Sequence, residues 1–379
     1  MTTLSFTQIE IDGFRGLRSL NLEGLGRVNI LVGRNNCGKT SVLEALAILC
    51  QPQNPDEWLS MVRRRDFGGL DETIIHSLRW CFTQATATDY ENLIEAGCKF
   101  KCHGNFPLRE LSVKYSEFMG EPSPKEMRYS RRRFAGRDLA IEEIMRGAEL
   151  VHDSVWTQFN LFPLLDNPTT SLRVFEDFYA PQFLLGKRRR NNWLDSETLT
   201  PYSYQLNRTQ LRSQSKQLFN DDRVTELLKY FDADVEAIRI GSFGGTRPAI
   251  YIKHRKLGEA PLSVFGDAMR RTVLLTSTLL SLKEGGLLLI DEVEVGIHVS
   301  ALSNLFNWLV KVAKDLKIQI FVTTHSLEAL DAIISTNPEQ SEDDIVAFHL
   351  TQTEEKTQCK RFSGDLLHRL RFERGLDVR

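Results

Sequence analysis

The octet Gly33-Arg34-Asn35-Asn36-Cys37-Gly38-Lys39-Thr40 matches G-x-x-x-x-G-K-[ST] at every fixed position, and it lies between segments of different hydrophobic period. Before it, Val28–Val32 reads as a buried strand; after it, residues 40–50 carry apolar side chains at helical spacing. The glycines therefore fall in a strand-to-helix turn, where backbone N–H groups and a helix N-terminus face one way. Such a turn is predicted to cradle the phosphates of a nucleoside triphosphate, lined by Gly33, Arg34, Asn35, Asn36, Cys37, Gly38, Lys39, Thr40 and Ser41. Lys39 is expected to reach the β- and γ-phosphates as a point charge, and the Thr40 hydroxyl to ligate Mg²⁺.

Far down the chain, Gly285-Gly286 precedes Leu287-Leu288-Leu289-Ile290 and then Asp291-Glu292. A buried parallel strand needs a continuous apolar run, and an acidic pair at its carboxyl end falls where α/β sheets place their ligands. This is a Walker B strand end. Asp291 is expected to hold Mg²⁺ through water, and Glu292 to polarise an attacking water, a contribution of roughly 10²–10⁴-fold for a well-placed general base. A third apolar run, residues 318–322, delivers Thr323-Thr324-His325-Ser326 to the same edge and makes His325 the candidate γ-phosphate sensor. The three strand ends predict an α/β fold of the P-loop NTPase kind with a doubly wound sheet. Its candidate catalytic residues are Lys39, Glu292 and His325.

The order and wording of these motifs resemble the ABC-type ATPase heads of the SMC, RecF and OLD (overcoming lysogenisation defect) group. Ile9-Glu10-Ile11-Asp12-Gly13-Phe14-Arg15-Gly16-Leu17 is similar to the strand and Phe-Arg turn that precede the P-loop in that group, which implies that Arg15 lies near the nucleotide. Pro261-Leu262-Ser263-Val264-Phe265-Gly266-Asp267 stands before an apolar helix, where the group keeps its signature motif. The resemblance implies ATP and Mg²⁺ as cofactors, a mixed sheet flanked by helices, an added antiparallel β lobe, and heads that work as pairs. In such pairs Ser263 and Gly266 of one copy would contact the γ-phosphate held by the P-loop of the other.

Two details resemble the stand-alone ATPases related to OLD nucleases. The signature reads L-S-x-x-G-D rather than L-S-G-G-[QE], with Val264-Phe265 where a glycine is expected, and Glu292-Val293-Glu294-Val295-Gly296-Ile297-His298 resembles E-x-E-x-G-[LI]-H. RecF and SMC proteins carry a Ser-Glu-Leu-Asp-like loop there. His298 faces the second subunit in one reading and makes a plain helix-start contact in the other. ATPases of this branch commonly belong to anti-phage defence systems, and OLD nucleases append a Toprim nuclease domain for which the tail after His325 leaves no room. The resemblance thus implies a homodimeric switch acting on a separately encoded nuclease or toxin. A RecF-like DNA-binding repair ATPase is the alternative. A transporter's nucleotide-binding subunit fits poorly with the Phe-Arg turn, the signature wording and the length of chain between the Walker motifs.

That length predicts an insertion. Residues 1–84 and 221–379 are expected to form the head, with strands around 74–82, 235–240 and 249–253 and a helix near 224–231. Residues 85–220 are expected to form an inserted, mostly helical region. It holds no sustained heptad, so SMC-type coiled-coil arms are not expected. Its basic clusters, 128–137 and Lys187-Arg188-Arg189-Arg190 ahead of Trp193, read either as contacts to DNA or RNA phosphates with Trp193 or Phe134 stacking on a base, or as a solvated or partner-docking face. A net charge of −2 over 379 residues gives no global attraction to nucleic acid, so any such contact must be local.

No apolar run approaches the ~20 residues of a membrane span, and the N-terminus lacks a signal-peptide apolar region. Six cysteines without a paired framework suit a reducing compartment, so a cytoplasmic protein with no membrane partner is expected. Cys98-x-x-x-Cys102-His103 invites a zinc reading, but no second ligand pair at suitable spacing follows. Leu302, Leu305, Phe306, Leu309, Val312, Ala313 and Leu316 recur at helical spacing and predict a core helix with Ser300 as its N-cap. Residues 272–282 predict a helix apolar all round.

Overall fold

The computed structural model describes residues 4–65, 73–83, 92–123, 144–157, 169–176, 194–203, 222–241, 249–282, 284–336, 344–353 and 355–379. Strands β1 (Gln8–Asp12) and β2 (Leu20–Glu23) form an antiparallel pair, and β3 (Val28–Val32) then leads through the glycine turn into α1 (Lys39–Cys50). Helices α2 (Asp56–Arg65) and α3 (Ile74–Arg79) follow. The stretch 74–82, expected as a strand, is helical at α3. Thr73 caps it by accepting from the His76 N–H at 3.2 Å, and Ile74, Ile75 and Leu78 share one buried helical face. Two adjacent β-branched residues imitate a strand, but the i, i+4 recurrence and the cap decide the element.

Next come β4 (Glu95–His103), β5 (Leu108–Gly120), β6 (Met145–Trp156) and β7 (Thr169–Phe175), which extend the first pair into a six-stranded antiparallel sheet of order β2-β1-β4-β5-β6-β7. β8 (Ser196–Leu199) belongs to a different sheet. Within 85–220 the described elements β4 to β8 are strands, while much of the stretch, where a mostly helical region is expected, lies outside the described residues. The physical reason is a period of two: along β4, Cys98, Phe100 and Cys102 are buried while Lys99, Lys101 and His103 are exposed. The basic clusters at 128–137 and 187–190, with Phe134 and Trp193, lie outside the described residues.

The remaining elements are α4 (Asp222–Lys229), β9 (Val235–Gly241), β10 (Ala249–His254), β11 (Gly258–Pro261), α5 (Asp267–Ser281), β12 (Leu287–Ile290), α6 (Val299–Asp315), β13 (Gln319–Thr323), α7 (Leu327–Ile334), β14 (Ile345–Gln352), β15 (Thr357–Ser363) and α8 (Gly364–His368). β9, β10 and α4 lie where the sequence puts two strands and a helix. Ser300 is not the cap of α6: His298 occupies that position and accepts from the Ser300 N–H. His298 therefore makes the helix-start contact.

The second six-stranded sheet has the order β15-β14-β3-β13-β12-β8, parallel throughout except for β15. β3, β12 and β13 are buried at every position because cores cover both faces. Leu287 and Leu289 join one core with α1, α2 and the antiparallel sheet, whereas Leu288 and Ile290 join the other with α5, α6 and α7. A third, smaller core lies between α4, α5 and the β11-β10-β9 sheet. The result is an α/β P-loop NTPase fold, a mixed sheet flanked by helices with an antiparallel lobe.

Candidate active site

The strand order sets β3, β13 and β12 side by side, so Gly33, Thr323 and Asp291 leave the sheet at one carboxyl edge. From β3 the backbone turns through Gly33 (φ 139°) and Asn36 (φ 62°) to Gly38 (φ 97°), the N-cap of α1. Glycine is required at both ends of the loop. A Cβ on Gly33 would stand 2.4 Å from the Leu350 carbonyl oxygen, and one on Gly38 would stand 2.5 Å from Leu17 Cδ2. Because Gly38 offers no side-chain cap, the first-turn N–H groups of α1 point to whatever anion the loop receives. Arg34, Asn35 and Asn36 are exposed along the loop, while Cys37, Lys39 and Ser41 are buried.

Lys39 Nζ donates to the carbonyl oxygens of Gly33 (2.8 Å) and Arg34 (2.9 Å), which holds its charge inside the loop. One residue on, the Thr40 hydroxyl lies 3.2 and 3.1 Å from the two carboxylate oxygens of Asp291. Residues 251 positions apart are thus in direct contact, and together they present only oxygen donors, the set a hard divalent cation such as Mg²⁺ selects. Loop geometry, lysine and oxygen pair all fit a magnesium-bound nucleotide.

Behind Asp291 stands Thr323, the last residue of β13 and almost fully buried. Its hydroxyl donates to Asp291 Oδ1 at 2.6 Å and accepts the Glu292 N–H at 2.8 Å. Glu292 has φ 48°, the left-handed region. Its carbonyl oxygen receives Arg271 Nη2 at 2.6 Å. Burial pushes the Glu292 carboxyl above the usual carboxylate range, and the nearby Asp291 and Glu294 carboxylates push it further; His325 and Arg271 pull it part of the way back. His325 stands two residues after the end of β13. Its own backbone is gripped on two sides, the N–H by Glu294 Oε1 at 2.8 Å and the carbonyl by Arg379 at 2.9 Å.

Arg15 adopts φ 53° in the turn after β1, and its guanidinium pairs with Glu44 of α1, Nε to Oε2 2.7 Å. Arg65 from α2 takes the other oxygen of Glu44 at 2.7 Å and reaches the Ser41 hydroxyl at 3.3 Å. Arg15 is tied to the phosphate-loop helix in this way. Ser263 and Gly266 stand apart from the Thr40–Asp291–Thr323–Glu292 cluster. Both are exposed, Ser263 in a single turn over Leu262–Val264 and Gly266 at the N-cap of α5. The loop after Walker B approaches them, since a Cβ on Gly296 would come 3.7 Å from Asp267 Cβ. The zinc-like trio splits across β4: Cys98 and Cys102 lie on the buried face with thiols that burial pushes up, Cys102 to about 12, and His103 lies on the other.

Sequence reasoning missed Arg271, Arg379, Glu44 and Arg65, and it read Thr323 only as part of a polar strand end. Thr323 follows a buried apolar run directly, which is a usable signal. The arginines show none, because their contacts at the site run to backbone carbonyls or to residues distant in sequence; a local partner, Asp377 of Arg379, does not point to the site.

Two family profiles match parts of the chain. One described as "AAA ATPase domain" spans residues 6–128, and one described as "AAA domain, putative AbiEii toxin, Type IV TA system" spans residues 167–331. An ATP/GTP phosphatase of Helicobacter pylori is 24% identical over 346 residues, 86% of this chain and 87% of that protein. A protein of Methanocaldococcus jannaschii is 58% identical over 40 residues, 11% of this chain and 18% of that one. Among solved structures, an SMC head bound to the C-terminal winged-helix domain of ScpA aligns over 98% of this chain and 99% of its own at 9% identity and TM-score 0.49. The SMC head domain from Thermotoga maritima aligns over 94% and 98% at 10% identity and TM-score 0.43. The fold rests on the chain's own strand order, and with it the motifs and the two AAA-type matches make this protein a P-loop ATPase.

Proposed function

We propose that the protein is a Mg²⁺-dependent ATPase head that pairs with a second copy of itself and, through pairing and hydrolysis, switches a separately encoded nuclease or toxin in anti-phage defence. The observation that carries the hydrolytic part is the continuous chain Thr40–Asp291–Thr323–Glu292, which ties Walker A to Walker B through side-chain bonds of 3.1, 2.6 and 2.8 Å. In this reading Lys39 leaves the carbonyls of Gly33 and Arg34 for the β- and γ-phosphates, and Thr40 and Asp291 hold the cation. Mg²⁺, when bound, draws charge from the phosphate oxygens. Glu292 takes a proton from the attacking water, and its raised proton affinity suits that task. His325, fixed by its backbone, contacts the γ-phosphate side. Arg15 acts on the nucleotide from the Glu44 side of α1.

Pairing is supported by the exposed signature turn. Ser263 and Gly266 are open to a partner, Val264 between them is 62% exposed, and the loop through Gly296 lies beside them. The description of one matching family as part of a toxin–antitoxin system is in keeping with an effector partner. Among the described residues no helix is long and apolar enough to cross a membrane, and the cysteines are free thiols, in keeping with the cytoplasmic setting proposed.

The test is Glu292→Gln purified from native cells with ATP. It should bind ATP, turn over at least 100-fold more slowly, elute at twice the monomer mass, and bring a nuclease or toxin with it. Adding Ser263→Arg should return it to monomer with ATP still bound. Nucleic acid without a protein partner would favour the RecF-like repair role.

A further inference from the structure

Glu292 is one of the few non-glycine residues with a left-handed backbone among the described residues, and it is the residue on which the proposed hydrolysis depends. That conformation is unfavourable for an L side chain and persists only where its surroundings impose it. Here both polar groups flanking the strained Cα are held. The Glu292 N–H donates to Thr323 Oγ1 at 2.8 Å, and the Glu292 carbonyl oxygen accepts from Arg271 Nη2 at 2.6 Å. Each holder is itself fixed. Thr323 spends its single proton on Asp291 Oδ1, so its lone pairs face the Glu292 amide. Arg271 is 4% exposed on α5 and also donates to the Pro201 carbonyl at 3.2 Å, beyond the end of β8.

We infer that Thr323 and Arg271 are positioning residues that hold Glu292 in the left-handed conformation and thereby aim its carboxylate. This rests on the reading of Glu292 as the general base. Without the two holders the peptide relaxes toward a right-handed or extended conformation, which swings the side chain off the reaction axis. Small misplacements of a catalytic group cost rate heavily. Arg271 adds a mechanical link, because α5 begins at the exposed signature turn, so that a partner docked there bears on the helix that carries the hold on Glu292.

The experiment is a double-mutant cycle on the full chain. Thr323→Val, which keeps shape and loses the hydroxyl, should lower kcat about 10- to 100-fold, and Thr323→Ser should restore it to near the parental value. On a Glu292→Gln background the same Val substitution should cost far less, since there is no base left to aim and only the Thr323–Asp291 bond is lost. Independently of turnover, the Glu292 amide should exchange with deuterium at least about tenfold faster in Thr323→Val, because it has lost its acceptor. Arg271→Lys, which shortens the reach to the Glu292 carbonyl, should also lower kcat and provides a second arm should the Val variant fold poorly. Additive losses on the Glu292→Gln background, or an amide that stays protected in Thr323→Val, would overturn the inference. A Glu292→Gln protein that turns over at the parental rate would remove the base assignment itself. A dead Glu292→Gln beside a fully active Thr323→Val would remove only the positioning role.

Discussion

Lys39 carries a full charge yet is only 6% exposed, and what makes that tolerable is the pair of loop carbonyls at 2.8 and 2.9 Å that its ammonium grips. The side chain is thus held within the glycine loop, and under the proposed function it has only to exchange carbonyl oxygens for phosphate oxygens. Charge-assisted hydrogen bonds of this kind contribute about 1.5–3 kcal/mol. Lys39→Ala is therefore expected to weaken ATP binding about 10- to 100-fold, read by titration with a fluorescent nucleotide. Unchanged affinity would sink the assignment of the loop. The fold should survive the substitution with some loss of stability, because the Arg34 carbonyl belongs to an exposed residue that water can satisfy whereas the Gly33 carbonyl is buried. Glu292 is the opposite case: burial first, and then the neighbouring Asp291 and Glu294 carboxylates, raise its proton affinity.

At the scale of elements, the antiparallel lobe depends on a charge that a strand pattern does not foresee. Glu117 falls on the buried face of β5, in line with Leu111, Val113 and Tyr115, and its side chain has no exposed surface. It binds Arg146 of β6 at 2.6 Å, Arg79 of α3 at 3.5 Å and the Tyr115 hydroxyl at 2.8 Å, so one carboxylate fastens α3 to two strands. Removing one partner of a buried ion pair is costlier than never having had the pair. Glu117→Leu should destabilise the protein by about 3–5 kcal/mol, seen as a lower urea midpoint with an unchanged slope. What was legible in the sequence follows the same physics. Fully buried parallel strands announce themselves as apolar runs, and the glycine loop and the acidic strand end must keep a fixed spacing to do their chemistry, so β3, β12, β13 and their motifs could be read directly. The lobe is readable in principle from the alternation of Cys98, Phe100 and Cys102 with Lys99 and Lys101, although the expectation for residues 85–220 is a mostly helical insertion. α3 was misread because its cap and period occupy only six residues. The Arg271 and Arg379 contacts run to backbone carbonyls, and a carbonyl has no sequence.

Across the whole molecule, the lobe and the ATPase sheet share one continuous core, and their joint is built from buried polar groups as well as apolar ones. Gln319 at the start of β13 accepts the Phe6 N–H at 3.0 Å and donates to the Phe6 and Gly26 carbonyls, so the sheet edge and the N-terminal segment are bonded as one body. Deeper in that core, His152 of β6 is 1% exposed, its ring stands 6.0 Å from that of Trp58 on α2, and the Thr170 backbone beside it is too poorly aligned for a full hydrogen bond. Burial pushes its pKa down to about 4, so the native state keeps it neutral while the unfolded chain takes up a proton near 6.5. Between those values the unfolded state binds more protons than the native one. Stability therefore falls as pH drops from 6.5 toward 4 and levels off below, a loss of about 3 kcal/mol in all. His152→Leu removes the group that titrates. Carboxylates also lose native contacts in acid, so the quantity to compare is the change in unfolding free energy between pH 7 and pH 4.5 for the two proteins. The parental protein is expected to lose about 2–3 kcal/mol more than His152→Leu over that interval. Parallel losses would mean that His152 reaches solvent or a partner in the native state, and that the core joining lobe to ATPase sheet is looser than its packing implies.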